Sequence, residues 1–176
     1  MRQFPLKDGR FVNLFRPRAE EAEELLSLMK TIGGETDFLL LDGGGLRISL
    51  EEERDFLDDV YNSPDTALFV ASVNGELVGS CSVNFHRNRR TSHVASIGIS
   101  VLKEYWGLGV GKAMMQTMLS HAKRAGAHKL ELEVNAKNTR AVALYEAFGF
   151  TLCGARKDHL CIAGEYIDEL MMELLL

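Results

Sequence analysis

Residues Val101 to Met115, Val-Leu-Lys-Glu-Tyr-Trp-Gly-Leu-Gly-Val-Gly-Lys-Ala-Met-Met, run from the end of an apolar strand through alternating glycines into a helix. Gly107, Gly109 and Gly111 have access to backbone angles closed to other residues and let the chain approach a ligand closely, so that successive amides converge on one cluster of oxygens. The helix that follows begins with amides that lack intrahelical acceptors and carries the positive end of its dipole there, which suits phosphate or pyrophosphate. The stretch reads as an anion cradle; the alternative is a glycine-rich turn with no ligand. Spacing narrows the choice of phosphate ligand. A Walker loop needs glycines five apart followed by Lys and Ser or Thr, but Trp106 stands five before Gly111 and Ala113 follows Lys112. A dinucleotide fingerprint counted from Gly107 or Gly109 meets Lys112 or Met114 where its third glycine belongs.

Around this stretch the pattern is strand, helix, strand. Val94, Ile97, Ile99 and Val101 form the strand that delivers the chain to the glycines, and Gly98 inside it predicts a bulge or a close ligand approach. Val110, Met114, Met118 and Ala122 recur at four-residue intervals beside Met115 and Leu119, a core-packing stripe closed by Gly126. Leu130, Leu132 and Val134 alternate with Glu131 and Glu133 as a further strand, which a crossover helix of this length places parallel to the strand before it. Downstream lies Asn138-Thr-Arg-Ala-Val-Ala-Leu-Tyr-Glu-Ala-Phe-Gly-Phe150, a short helix closed by Gly149.

Together these two segments resemble the GNAT acyltransferase superfamily. The first is similar to its acyl-CoA-binding motif, a Val, four residues, Arg or Gln, two residues, Gly, one residue, Gly or Ala: Val101, Gly109 and Gly111 fit, and Trp106 departs from it at the Arg or Gln position. The second resembles the family's Asn-x-x-Ala-x-x-Leu-Tyr-x-x-x-Gly-Phe block. The resemblance implies an α/β (α+β) fold with a central mixed, mostly antiparallel sheet, a splayed parallel pair and flanking helices, as a single N-acetyltransferase domain over residues 1–176. It implies transfer of the acetyl group of acetyl-CoA to a primary amine of a small molecule, peptide or protein by direct attack, and it allows a homodimer. The alternative is a module that binds acyl-CoA for regulation without catalysis, and a third reading is a phosphate-ligand domain unrelated to CoA.

Composition sets the outer bounds. A chain of 176 residues can bury about 70% of its extended surface in one domain without metals or disulfides. Hydrophobic residues at 46% and charged residues at 26% are globular values. No apolar run reaches membrane-spanning length, and the start lacks an apolar signal core, which predicts a cytoplasmic protein without a membrane partner. Cys81, Cys153 and Cys161 show no metal spacing and are expected to be reduced and mostly buried. A formal net charge of -5 argues against nucleic acid. The one basic cluster, His86-Arg-Asn-Arg-Arg90, reads as a solvated hairpin tip, with contact to an acidic acceptor or to the nucleotide end of CoA as the functional reading.

Elsewhere Phe11 to Phe15 predict a first strand, and Pro17 opens a helix ending near Lys30 because Gly33-Gly34 follows. Residues 31–48 form a long glycine-bearing connection. Ser49-Leu-Glu-Glu52 is a capping box for a second helix with Phe56, Leu57, Val60 and Tyr61 at helical spacing. Asn74-Gly75 joins two apolar runs as a hairpin. Phe150 to Arg156 and Tyr166 to Leu174 read as the last strands, with a loop at 157–164.

The resemblance assigns donor binding to Ile99, Val101, Trp106, Gly107, Leu108, Gly109, Val110, Gly111, Lys112, Asn138 and Tyr145, with no metal. Tyr145 matches the family tyrosine near the CoA sulfur, where its hydroxyl hydrogen-bonds or protonates the departing thiolate; helix packing is its other reading. Asn138 reads as a helix cap as well as a CoA contact. Lys112 is a candidate to carry the charge that Trp106 lacks. Ser96 stands where family members often have a glutamate base, so Glu35, Asp37, His93, Glu131, Glu133 and Glu165 are substitutes beside a water relay, with Glu35, Ser96 and Glu165 assigned to the substrate side. A covalent route through Cys153 or Cys161 is a further alternative, although neither has a combined basic-residue and helix-start signature. The acceptor pocket is expected from residues 31–50 and 157–164.

Overall fold

A computed structural model describes residues 1–176. In chain order the elements are β1 (Arg2–Pro5), β2 (Phe11–Phe15), α1 (Ala22–Glu35), α2 (Leu50–Asn62), β3 (Thr66–Val73), β4 (Glu76–Phe85), β5 (Val94–Val101), α3 (Val110–Arg124), β6 (Lys129–Asn135), α4 (Thr139–Ala147), β7 (Thr151–Ile162) and β8 (Glu165–Leu175). One eight-stranded sheet runs β1-β2-β3-β4-β5-β6-β8-β7. Every neighbouring pair is antiparallel except β5 and β6, the pair joined by the α3 crossover.

Alternation along β3 shows how the sheet is covered. Phe69, Ala71 and Val73 pack into the cluster that holds Val110, Met114, Met118 and Ala122 of α3, whereas Val70 faces Leu25, Leu28 and Ile32 of α1 and Leu57 of α2. Side chains alternate across a strand, so α3 lies on one face and the α1–α2 pair on the other. The methionine stripe of α3 is fully buried, as its four-residue recurrence predicts. The Asn74-Gly75 turn has φ of 53° and 92°, the positive angles that a tight hairpin requires.

The parallel pair is short. β5 and β6 are in register from Val94↔Lys129 to Ser96↔Glu131 and no further, although β5 stays paired with β4 as far as Val101 and β6 with β8 as far as Asn135. Beyond Ser96 the two strands diverge and leave a crevice in the middle of the sheet. Its walls are the C-terminal half of β5 and the C-terminal half of β6.

Several local expectations are corrected. A strand, β1, precedes the predicted first one and pairs with it. Helix α1 continues through Gly33-Gly34 to Glu35, because these glycines receive another backbone: a Cβ on Gly33 would lie 2.1 Å from the Asp42 carbonyl oxygen. In α2 Leu57 and Val60 are buried as expected, but the third buried position is Glu53, and Phe56 is exposed. Gly98 sits in register opposite Ser82, so it marks an open approach and no bulge. The expected loop at 157–164 is mostly strand: β7 runs to Ile162 with an irregularity between Arg156 and Leu160, where Asp158 takes φ 49°. Cys81 is buried, but Cys153 and Cys161 are exposed.

Candidate active site

The glycine stretch adopts a turn that few other residues would allow. Gly107 and Gly109 have φ of 78° and 111°, and Gly109 is the N-cap of α3. The first intrahelical bond runs from Ala113 N to Gly109 O at 3.0 Å, so the amides of Val110, Gly111 and Lys112 have no helical acceptor. A Cβ on Gly111 would sit 3.1 Å from Leu144 Cδ2, which ties α3 closely to α4. The β1–β2 turn braces the outside, with Lys7 N donating to Leu108 O at 3.0 Å. Glu35, at the end of α1, accepts from Lys103 N at 2.7 Å and anchors the chain where it leaves β5.

A cavity of about 520 Å³ opens over this turn and extends into the crevice between β5 and β6. It is lined by Ile99 and Val101, by Trp106, Gly107, Gly109, Gly111 and Lys112, and by Asn138 and Tyr145, with Lys7 and Arg140 at its rim. Leu108 and Val110, also assigned to donor binding, lie outside the lining; Val110 is wholly buried in the core. Lys7, Lys112 and Arg140 make no ion pair, and Glu133 is the only acidic lining residue. Unpaired cations, free helix-start amides and a glycine turn with no Cβ in the way fit the pyrophosphate and pantetheine arm of acyl-CoA. The edge of β5 beyond Ser96 has no ladder partner on the β6 side, and short of the Val101 carbonyl, which accepts from Trp106 Nε1, it is free to pair with an extended arm.

Asn138 caps α4, its Oδ1 accepting from Ala141 N at 3.2 Å. Two turns later Tyr145 is 7% exposed and packs beside Phe150, with ring centroids 6.0 Å apart. Burial pushes its phenol up to about 12, since the charged form would lose its hydration. Its hydroxyl makes no hydrogen bond within the protein, yet it is absent from the buried orphan atoms, so it opens onto the cavity.

A second cavity of about 1140 Å³ lies between the 37–43 segment, β6 and the β7–β8 hairpin. The two cavities share Phe38, Leu39, Ile97, Glu133 and Val134, so they meet across the crevice. Carboxylates dominate the charged part of the second cavity's lining: Asp37, Asp42, Glu131, Glu133 and Glu169 stand against Arg156 and the imidazole of His159. Arg156 Nη1 donates to Glu169 Oε2 at 2.7 Å and forms an ion pair with Glu133 Oε1 at 2.6 Å. Ser96 Oγ lies 3.5 Å from Glu131 Oε1 and 3.4 Å from His86 Nε2, and His86 reaches Glu131 at 3.1 Å.

The candidates for the substrate side therefore separate. Ser96, Asp37, Glu131 and Glu133 line the second cavity. Glu35 is engaged by the Lys103 amide, Glu165 pairs with Lys137 at the β7–β8 turn, and His93 stands beside His128, all outside both cavities. The basic hairpin at 86–90 precedes β5, at the opposite end of that strand from the glycine turn, roughly 26 Å along an eight-residue strand. That distance removes it from the nucleotide end of the donor. Arg140, Lys7, Arg156 and Phe38 were missed by sequence reasoning. Arg140 lay inside the second motif, but nothing in its spacing shows what it faces.

The profile of the acetyltransferase (GNAT) family matches residues 40–150. The L-amino acid N-acetyltransferase AaaT of Escherichia coli is 31% identical over 110 residues, covering 62% of this chain and 68% of that protein. The chain spans only 31% and 43% of two mycothiol acetyltransferases that it also matches. Among solved structures, an acetyltransferase of the GNAT family from Streptococcus pneumoniae superposes with a TM-score of 0.90 at 28% identity, over 94% of this chain and 99% of that one. The fold is also that of yncA from Salmonella typhimurium, a putative acetyltransferase solved with its cofactor acetyl-CoA, at a TM-score of 0.81, 16% identity and 94% of each chain.

Proposed function

Because this chain belongs to the acetyltransferase (GNAT) family and is an acyl-CoA-dependent N-acetyltransferase, we propose that its acceptor is a cationic small molecule or chain terminus presenting an α-amine. The observation that carries the reading is the junction of two cavities of opposite charge across the split between β5 and β6. The cationic one suits a polyanionic donor and the acidic one an ammonium-bearing acceptor.

Acetyl-CoA supplies an activated acyl group as a thioester. The chain's own residues position it: the amides of Gly111 and Lys112 and the rim cations hold the pyrophosphate, and the edge of β5 around Ile99 holds the arm. Glu133, the one carboxylate lining both cavities, orients the acceptor ammonium at the junction. The amine loses a proton to solvent or to the Ser96–Glu131 side of the cavity, its nitrogen forms the new C–N bond, and the C–S bond breaks. The Tyr145 hydroxyl donates a hydrogen bond to the departing sulfur.

Amine chemistry supports an α-amine. At pH 7 a lysine-like amine near ~10.4 costs ~4.6 kcal/mol to deprotonate, whereas an α-amine near ~7.7 to 8 costs ~1 to 1.4 kcal/mol. Glu133 and Glu169 are already engaged by Arg156, so an acceptor that is partly neutral at pH 7 demands least of the site. We assign the activity to one catalytic unit over residues 1–176, in keeping with the continuous sheet.

The test is thiol release from acetyl-CoA with a panel of amino acids, peptides with free N-termini, and amines lacking an α-amine, beside a thermal-shift series. Acetyl-CoA at 100 times its dissociation constant adds about 2.7 kcal/mol, or roughly 5 to 11 °C for a chain of this size. Turnover confined to α-amines supports the proposal. A shift with acetyl-CoA and no thiol release with any amine would establish a binding module instead.

A further inference from the structure

The donor motif lacks its usual cation or amide at Trp106, and the structure shows what the indole does. Trp106 Nε1 donates to the Val101 carbonyl at 2.7 Å, which closes the segment between the end of β5 and the glycine turn. Its single N–H is thereby used within the protein and is not offered to a phosphate. The ring face carries Arg140 of α4, whose Cζ lies 5.3 Å from the ring centroid. Arg140 is exposed and makes no ion pair or side-chain hydrogen bond, and the cavity over the glycine turn includes it in its lining. The position of a Cβ on Gly107 would be 3.6 Å from Arg140 Nη1, so the guanidinium stands directly over the open side of the turn.

The first turns of the helices support the same placement. The first turns of α1 and α2 carry Glu23-Glu24 and Glu51-Glu52-Glu53, as their dipoles favour. Those of α3 and α4 carry no acidic residue and instead hold Lys112 and Arg140, against the dipole. These two helix starts border the same cavity, so a bound anion would compensate both dipoles and both cations.

We infer that Arg140, held on the face of Trp106, is the guanidinium that binds the donor's pyrophosphate in this chain, in which Trp106 stands where the family motif carries Arg or Gln. This rests on the acetyl-CoA reading of the cavity. Trp106 is a positioning residue: its ring face holds the guanidinium over the turn, and its N–H bonds the end of β5. A planar fork suits two phosphoryl oxygens better than a lysine would.

The test is calorimetric affinity for CoA, dephospho-CoA and pantetheine, measured on the wild-type protein, R140A, R140K and W106F. Arg140 is exposed and unbonded, so R140A should keep its melting temperature. R140A should weaken CoA and dephospho-CoA alike by about 10- to 100-fold, as expected for charge-assisted hydrogen bonds, and leave pantetheine unchanged. R140K should recover part of the loss, and W106F should stay within several-fold of wild type because its ring remains. A second-site change, W106R in the R140A background, should restore affinity by returning a cation to position 106. Unchanged CoA affinity in R140A, or a loss confined to CoA and absent with dephospho-CoA, would overturn the pyrophosphate assignment. Failure of the wild-type protein to bind CoA at all would overturn the donor reading with it.

Discussion

Replacing Tyr145 by Phe separates two roles that family likeness leaves joined, proton donor and hydrogen-bond donor. With the phenol at about 12 and a thiolate near ~8.5, full proton transfer to the departing sulfur is uphill by ~3.5 units, or ~4.8 kcal/mol. A hydrogen bond to a charged acceptor contributes about 1.5 to 3 kcal/mol, which corresponds to roughly 10- to 150-fold in rate. The structure therefore predicts that Y145F loses kcat by about 10- to 150-fold with little change in CoA affinity. No internal hydrogen bond is lost, so its stability should change by less than ~0.5 kcal/mol. The assay is steady-state thiol release from pH 6 to 10, with CoA affinity measured separately. A basic limb between pH 8 and 10 that disappears in Y145F would show a phenol titrating far below its buried value and refute the argument. So would a loss beyond ~10⁴-fold, or none.

Glu53 is fully buried with both carboxylate oxygens unpartnered, so E53M should stabilise the protein at pH 7 by about 1 to 3 kcal/mol, or roughly 2 to 12 °C in calorimetry. Desolvation raises the folded-state pKa of Glu53, so the folded state keeps a proton that the unfolded state releases. Wild-type stability should fall as pH rises from the unfolded carboxyl value near ~4.3 through the raised folded value, then level off; E53M should lose that component. Gly33→Ala would place its methyl 2.1 Å from the Asp42 carbonyl oxygen, displacing the 37–43 segment; we expect a lower melting temperature, about 1 to 3 kcal/mol of destabilisation, and a raised acceptor KM. Asn138→Ala removes the α4 cap at ~1 kcal/mol, while Asn138→Ser keeps capping ability; CoA affinity lost in both, with melting lowered only in the alanine variant, would show that the amide serves both helix and donor.

The sequence by itself determined whatever depends on short windows of backbone preference. The glycine turn, the Asn74-Gly75 hairpin, the Ser49 capping box, the fully buried methionine stripe of α3 and the parallel β5–β6 pair all follow from local angles, capping chemistry and the handedness of a crossover. The capping role of Asn138 was legible for the same reason, whereas the donor-side roles of Asn138 and Tyr145 came from the resemblance of their motif. Tertiary structure alone decided which residues from distant segments meet. Gly33 and Gly34 look like helix breakers until Asp42 and Gly43 pack against them, at which point the missing side chains allow the helix to continue. The stripe Glu53, Leu57, Val60 is buried because α1 fixes the rotation of α2, and no hydrophobicity pattern would place a carboxylate there. Arg140 reaches Trp106 across 34 positions of sequence, and the acidic cavity gathers the 37–43 segment, β6 and the β7–β8 hairpin around one crevice. Backbone preferences act over a few residues and leave a mark in sequence; proximity of charges across a split sheet is a property of packing, and it exists only once the chain has folded.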